Sequence, residues 1–249
     1  MEKKPVVVIS NDDGVHAPAL KLMREVLSEW ATVYTVVPDR NQSGTSRSLT
    51  LHYPLYANWI NPYWASVQGT PADSVHLALT GLVKEPVDLV VSGINIGPNL
   101  GGDVLYSGTV AAAFEASSCG VPALAFSLAS KQPTDYHAAV TYMNQLAQKA
   151  IEKPLPADMI LNINIPDLPQ DKIRGVRTTC LGRREAASPT EPYVTPRRQQ
   201  SFWIGQPGAP ILTDENSDFA AVEAGYISVT PLHVDLTHYE ALGEVDAWL

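Results

Sequence analysis

Four β-branched residues in succession, Val6-Val7-Val8-Ile9, stand near the start of the chain. An unbroken apolar run of that length marks a strand covered on both faces. Pro18 suits the first turn of a helix, where its missing N–H costs nothing. Leu20, Met23, Val26, Leu27 and Trp30 then recur at helical spacing. Residues 32–37 predict a second strand. Thr70-Pro71-Ala72-Asp73 reads as a helix start, with Thr70 as N-cap, Pro71 first in the helix and an acid third. Val75, Leu79 and Leu82 form the apolar stripe behind it. Strands are predicted at 87–91, 123–128 and 160–165, and helices from about 109 to 118, ending at Gly120, and over 136–153. Such alternation implies right-handed crossovers and an α/β fold built on a doubly wound, mostly parallel sheet.

Two stretches depart from this rhythm. Residues 48–69 read as two strands about the Asn61-Pro62 turn. Residues 175–232 carry strand-like pieces at 176–181, 201–204 and 226–230, joined by long Pro-containing loops, and 237–249 is helix-like. The pattern predicts a single α/β domain over 1–249, with a core over about 1–170 and a β-rich extension over about 171–249. Strands with so little helix nearby leave sheet edges that a second subunit would cover.

Composition narrows the class. A chain of 249 residues that is 45% apolar and 17% charged has material for a real core and is not disordered. No apolar run approaches the roughly 18 residues of a membrane span. The start, MEKKPVVVIS, has an apolar run of only five residues, too short for a signal-peptide core. Cys119 and Cys180 make neither a disulfide framework nor a zinc site, so a reducing, cytoplasmic location is expected. A net charge of −9 argues against a nucleic-acid polymer as partner. Seven of the 17 basic residues nevertheless fall within 172–198: Lys172, Arg174, Arg177, Arg183, Arg184, Arg197 and Arg198. They form either a solvated face or a patch for an anionic substrate.

Three segments carry candidate chemistry. Ser10-Asn11-Asp12-Asp13-Gly14 follows the first strand, where ligands of open α/β sheets bind. Adjacent carboxylates repel, and a hard divalent cation relieves the repulsion; the plainer alternative is an Asp-Gly turn capping the next helix. The second segment runs from Ser92-Gly93-Ile94-Asn95 to Ser107-Gly108-Thr109 and holds five of the 16 glycines. It precedes a helix, whose N-terminus offers N–H donors to an anion. The third, Pro38-Asp39-Arg40-Asn41-Gln42-Ser43-Gly44, gathers polar groups at the same sheet edge. G-x-S-x-G, P-loop, G-x-G-x-x-G and HExxH patterns are absent. The oxygen-rich donor set suits Mg²⁺, Mn²⁺ or Ca²⁺. His16 stands close to the Asp-Asp-Gly turn and is read as structural by default.

Taken together, these three segments, with Phe219-Ala220-Ala221-Val222 and the YISVTPLHVDLT stretch from Tyr226 to Thr237, resemble the SurE family, the stationary-phase survival proteins. The resemblance spans nearly the whole chain. Asn216-Ser217-Asp218 departs from it, standing where Gly-Thr-Asp is expected. It implies a Rossmann-like core, a C-terminal β-excursion and tail used to build a homodimer or homotetramer, and no membrane. It also implies a metal-dependent phosphomonoesterase, a 5′-nucleotidase acting on nucleoside 5′- and also 3′-monophosphates and on short polyphosphate. One divalent cation per subunit, Mg²⁺ or Mn²⁺, is implied on Asp12, Asp13, Ser43 and Asn95. Catalytic roles are expected for Asp12, Asp13 and Asn11, and phosphate contacts for Asn99, Ser107, Gly108 and Thr109. Two rivals remain at this level. One is a non-catalytic nucleotide- or phosphate-binding protein. The other is a haloacid-dehalogenase-like phosphatase with an Asp nucleophile, which calls for Asp-x-Asp rather than adjacent acids.

Overall fold

The computed structural model describes residues 3–133, 135–156 and 158–249. Met1 and Glu2, part of the leading segment read above, lie outside them. Strand β1 (Val6–Ser10) is buried at every position. Its alternate side chains serve two cores. Val7 and Ile9 join Leu20, Met23 and Leu27 of α1 (Ala19–Ser28) and Val140, Met143 and Ala147 of α4 (His137–Glu152). Val6 and Val8 join Val75 of α2 (Pro71–Leu77) and Val110, Ala113 and Ala116 of α3 (Gly108–Ser118). The period of two along a strand puts successive residues on opposite faces, so a continuous apolar run feeds both layers.

The remaining strands of the main sheet are β2 (Thr32–Pro38), β3 (Ala57–Asn61), β4 (Trp64–Val67), β5 (Leu89–Ile96), β6 (Ala123–Leu128), β7 (Met159–Ile165), β8 (Val176–Thr178) and β13 (Ile227–His233). Their order is β3-β4-β2-β1-β5-β6-β7-β13-β8. Pairing is parallel except at β3–β4 and β7–β13. The chain leaves β1 toward β2 and β4, then crosses back to place β5 on the other flank of β1. The strand order reverses there, and the crevice beyond the carboxyl ends of β1 and β5 is the expected ligand position.

The pieces at 176–181 and 226–230, expected in a β-region beyond the compact sheet, supply strands inside it: β13 pairs with β7 over six residue pairs and with β8 over three. The strand predicted over 87–91 runs instead from Leu89 to Ile96, and its pairing with β6 slips between Ser92 and Asn95. Its glycine and polar residues hide a strand from an apolar-run criterion, so the loop begins at Gly97 rather than Ser92.

Outside the main sheet, β9 (Arg183–Arg184) pairs with β12 (Pro210–Ile211), and β10 (Glu191–Val194) with β11 (Gln200–Trp203) in an outlying hairpin. Helix α5 (Asp218–Glu223) precedes β13, and α6 (Leu242–Trp248) ends the chain. The hairpin exposes Phe202, Trp203 and Ile204, and the tail exposes Leu236, Trp248 and Leu249. No helix among the described residues is long and apolar enough to cross a membrane.

Candidate active site

Asp12 and Asp13 leave β1 at the crevice. Gly14, with φ +89°, turns the chain there; a Cβ at this position would meet the Arg40 carbonyl at 2.7 Å, so loop 38–44 lies directly against the turn. Gln42 N–H donates to the Asp12 carbonyl at 2.7 Å. Asn11, a catalytic candidate by sequence, has both ends of its amide engaged by the Gly14 backbone at 3.1 Å. It braces the turn.

Asp12 is only 4% exposed. Thr109 Oγ1 donates to its Oδ1 at 2.5 Å, and the Thr109 backbone N–H also favours its charged form. Burial outweighs these bonds and, with the charge of Asp13, raises the carboxyl from 3.8 to about 6. Asp13 Oδ1 accepts from Asn41 Nδ2 and Oδ2 from Ile96 N–H, each at 3.3 Å. Burial raises this carboxyl as well. Among the described residues, neither acid has a lysine or arginine as an ion-pair partner.

Asn95 stands near the end of β5, next to Ile96, whose N–H binds Asp13. Its Nδ2 donates to the Gly97 carbonyl at 2.8 Å, which leaves Oδ1 as the available donor atom. Ser43 lies exposed on loop 38–44, where its N–H donates to Asn41 Oδ1 at 3.0 Å. Two carboxylates, an amide carbonyl and a hydroxyl make an all-oxygen donor set that fits a hard divalent cation. The raised carboxyls indicate what such a cation would relieve.

The phosphate candidates divide. Ser107 caps α3 by accepting from Val110 N–H at 3.1 Å, and Gly108 opens the helix. Thr109, expected on phosphate oxygens, is fully buried with its hydroxyl on Asp12, so the helix end holds an acid of the chain itself. Asn99 is likewise tied inward. Its N–H donates to Asn164 Oδ1 at 2.8 Å, its Nδ2 to Ser127 Oγ at 2.7 Å, and its carbonyl accepts from Asn162 and Asn164. It anchors the start of the loop to β6 and β7. Gly108 matters for its lack of a side chain: a Cβ would stand 2.7 Å from Asp12 Cβ and 3.0 Å from Pro71 Cγ.

Several residues near the site carried no sequence-level role. Asn41, which binds Asp13, stands in the polar segment 38–44 with nothing in its local sequence to mark it from its neighbours. Burial, then the charges of Asp13 and Asp167, raise the Tyr136 hydroxyl. Asp218 and Arg184 reach the turn Gly101–Leu105 from the far end of the chain. Of the basic stretch, Arg174 and Arg177 stack on Tyr226 and Arg184 pairs with Asp103. For these three the contacts are internal rather than a patch awaiting an anion. His16 is exposed.

Two other features lie apart from the carboxylate pair. A mainly apolar groove of about 670 Å³ starts at Ser107 and runs past Arg47, Val104, Phe114 and Leu232, but Asp12, Asp13 and Asn95 do not line it. His76, Glu115 and Cys119 bring ligand atoms within 4.8 Å of one another, close enough to hold a metal ion. Both Glu115 oxygens are already engaged, by His76 at 2.9 Å and Arg47 at 3.2 Å. That group lies seven residues along α3 from Gly108, about 10 Å at ~1.5 Å per residue.

The family model "Survival protein SurE" matches residues 7–188. The "5'-nucleotidase SurE" of Alkalilimnicola ehrlichii is 49% identical over 243 residues, covering 98% of this chain and 95% of that protein. The protein of the same name from Aeromonas hydrophila is 48% identical over 251 residues, covering 98% of each. The crystal structure of the SurE protein from Aquifex aeolicus superposes with a TM-score of 0.88 at 37% identity, over 98% of this chain and 99% of that one.

Proposed function

The chain belongs to the SurE family, and from that premise we propose that it is a metal-dependent phosphomonoesterase, a 5′-nucleotidase releasing phosphate from nucleoside 5′-monophosphates. The observation that carries the reading is the pair of acids at the β1/β5 crevice, Asp12 buried and Asp13 half-buried, without a basic partner among the described residues. A binder of phosphate alone has no use for two carboxylates there, because they repel the ligand. Asp12, Asp13, Asn95 and Ser43 would hold one Mg²⁺- or Mn²⁺-class ion per subunit. When bound, such an ion supplies Lewis acidity toward a phosphoryl oxygen and acidifies water.

The protein's own groups divide the work. Thr109 fixes one oxygen of Asp12, while Asn41 and the Ile96 N–H orient Asp13. The carboxylates orient the attacking water and take its proton. Ser107 and the Gly108 N–H, at the positive end of α3, hold phosphate oxygens. Asn11 serves the turn rather than the reaction. Nucleoside 3′-monophosphates and short polyphosphate present the same terminal phosphoryl group and are included in the proposal, as are a cytoplasmic location and a homodimeric or homotetrameric assembly.

The test is phosphate release from a panel of nucleoside monophosphates and polyphosphate, with Mg²⁺, with Mn²⁺ and after chelation. Metal-dependent release is expected, and Asp12→Asn and Asp13→Asn should each lower it by orders of magnitude with the fold intact. Undiminished turnover after thorough chelation would overturn the metal-dependent reading. Tight nucleotide binding without release would favour the non-catalytic one.

A further inference from the structure

The turn Gly101–Leu105 carries the chain from Asn99, anchored on β6 and β7, to Ser107 at the start of α3. It is gripped from the opposite end of the sequence. Asp218, fully buried at the start of α5, accepts from Gly101 N–H at 2.7 Å through Oδ2. Its Oδ1 accepts from Gly182 N–H and from Phe219 N–H, both at 2.9 Å. Two residues on, Asp103 receives Arg184 in a two-point fork, Nη2–Oδ2 at 2.6 Å and Nε–Oδ1 at 3.2 Å. The same guanidinium lies 4.6 Å from the Phe219 ring centroid and donates to the Gly208 carbonyl at 3.2 Å. No slack remains at Gly101, where a Cβ would meet the Gly182 carbonyl oxygen at 2.6 Å and the Phe219 ring at 2.7 Å.

A fork between a guanidinium and a carboxylate fixes orientation as well as distance. A buried carboxylate taking three backbone N–H groups leaves those donors unpaired if it is lost. Both contacts act on a turn of five residues that reaches Ser107 through Tyr106 alone. Other bonds hold that turn from the site side, Tyr106 N–H to the Asp103 carbonyl at 3.0 Å and Ser46 N–H to the Tyr106 carbonyl at 3.2 Å. They move with it.

We propose that Arg184 and Asp218 are positioning residues of the phosphate end: by holding Asp103 and Gly101 they set where Ser107 stands ahead of α3. This rests on the reading that the start of α3 takes the phosphate. The metal end is positioned separately, through Thr109, Asn41 and Gly14, so the two halves of the site answer to different parts of the chain.

The experiment is a double-mutant cycle in the full-length, metal-loaded protein. Arg184→Met keeps length and apolar packing on Phe219 while removing the fork; Asp103→Asn removes it from the other side. Each should raise KM and the inhibition constant of inorganic phosphate about five- to tenfold, less than the roughly ten- to hundredfold of a charge-assisted bond lost at the ligand itself, because the fork acts through the turn. The double variant should be no worse than either single one, and Arg184→Lys should recover part of the loss. Metal affinity and subunit mass should stay at wild-type values, and amide hydrogen exchange over 101–108 should quicken. Asp218→Asn should produce the same pattern more strongly. Unchanged phosphate inhibition, additive single effects, or a parallel fall in metal affinity would each overturn the proposal. An inactive wild type would instead defeat the proposed function, and hydrogen exchange over 101–108 would still decide whether the fork and Asp218 hold the turn.

Discussion

Replacing Gly108 by alanine adds a single carbon, and the structure says which partner receives it. The new Cβ would lie 2.7 Å from Asp12 Cβ, 3.0 Å from Pro71 Cγ and 3.2 Å from Asp12 Oδ2. Carbon atoms pack at about 3.5–4.0 Å, so something must yield by roughly 1 Å. Pro71 is fixed in the first turn of α2 and Gly108 in the first turn of α3; the clashing Asp12 Cβ is set by its own backbone, so the turn that carries Asp12 must shift, and its carboxylate with it. Overpacking of this kind costs about 1–3 kcal/mol of stability, offset in part by the roughly 1 kcal/mol by which alanine surpasses glycine in a helix. The functional loss should be larger, because a misplacement of about 1 Å at a reacting centre costs on the order of a hundredfold. Gly108→Ala should therefore lose metal affinity and kcat/KM together, while inorganic phosphate inhibits nearly as before at saturating metal. Gly102→Ala, where a Cβ meets nothing within 4 Å, is the control and should be silent. Metal titration by calorimetry and steady-state phosphate release decide the matter. If Gly108→Ala kept its metal affinity and lost only phosphate affinity, the contact with Asp12 would not be what the glycine is for.

The acid itself offers a pH signature. Asp12 sits at about 6 in the folded chain against an ordinary 3.8, so the fold favours its protonated form. The resulting destabilisation is fully present above about pH 6, shrinks as pH falls through that value, and is gone below about pH 3.8. It amounts to on the order of 3 kcal/mol. Urea unfolding of the metal-free protein should show Asp12→Asn more stable than wild type near pH 7 and equal near pH 4; a neutral-pH deficit would contradict the account. Thr109→Val deletes the donor to Asp12 Oδ1 and should weaken metal binding roughly ten- to a hundredfold, with Thr109→Ser restoring most of it. The hairpin and tail leave Trp203 69% and Trp248 82% exposed, a degree of apolar exposure that points to association. Light scattering at micromolar concentration should give a multiple of 26.9 kDa, reduced by Trp203→Asp; a monomeric wild type would count against the assembly.

Local pattern was enough for the alternation of strands and helices. Val6–Ser10 and Ala123–Leu128 are short apolar runs that can be satisfied only between two layers. Thr70 caps α2 with a reciprocal bond to Asp73, as residues three apart at a helix start can do by themselves. The turn after β1 was legible for the same reason, since a strand end followed by two acids and a glycine is a local statement. What no local statement contains is the partner across the fold. Thr109 lies 97 residues from Asp12, and only the packing of α3 against the β1 turn decides that its hydroxyl serves the acid rather than a ligand. Asn99 looks like an open loop amide until β6 and β7 supply its partners. Strand β13 reads as an outlier because its partner, β7, precedes it by some sixty residues. Asp218 reaches Gly101 across 117 residues, a distance in sequence at which hydrophobic period and turn chemistry carry no information. The elements and the acids belong to the sequence taken locally. Which hydroxyl, amide or guanidinium holds each acid in place belongs to the fold, because those bonds exist only after distant segments have been brought to one edge of one sheet.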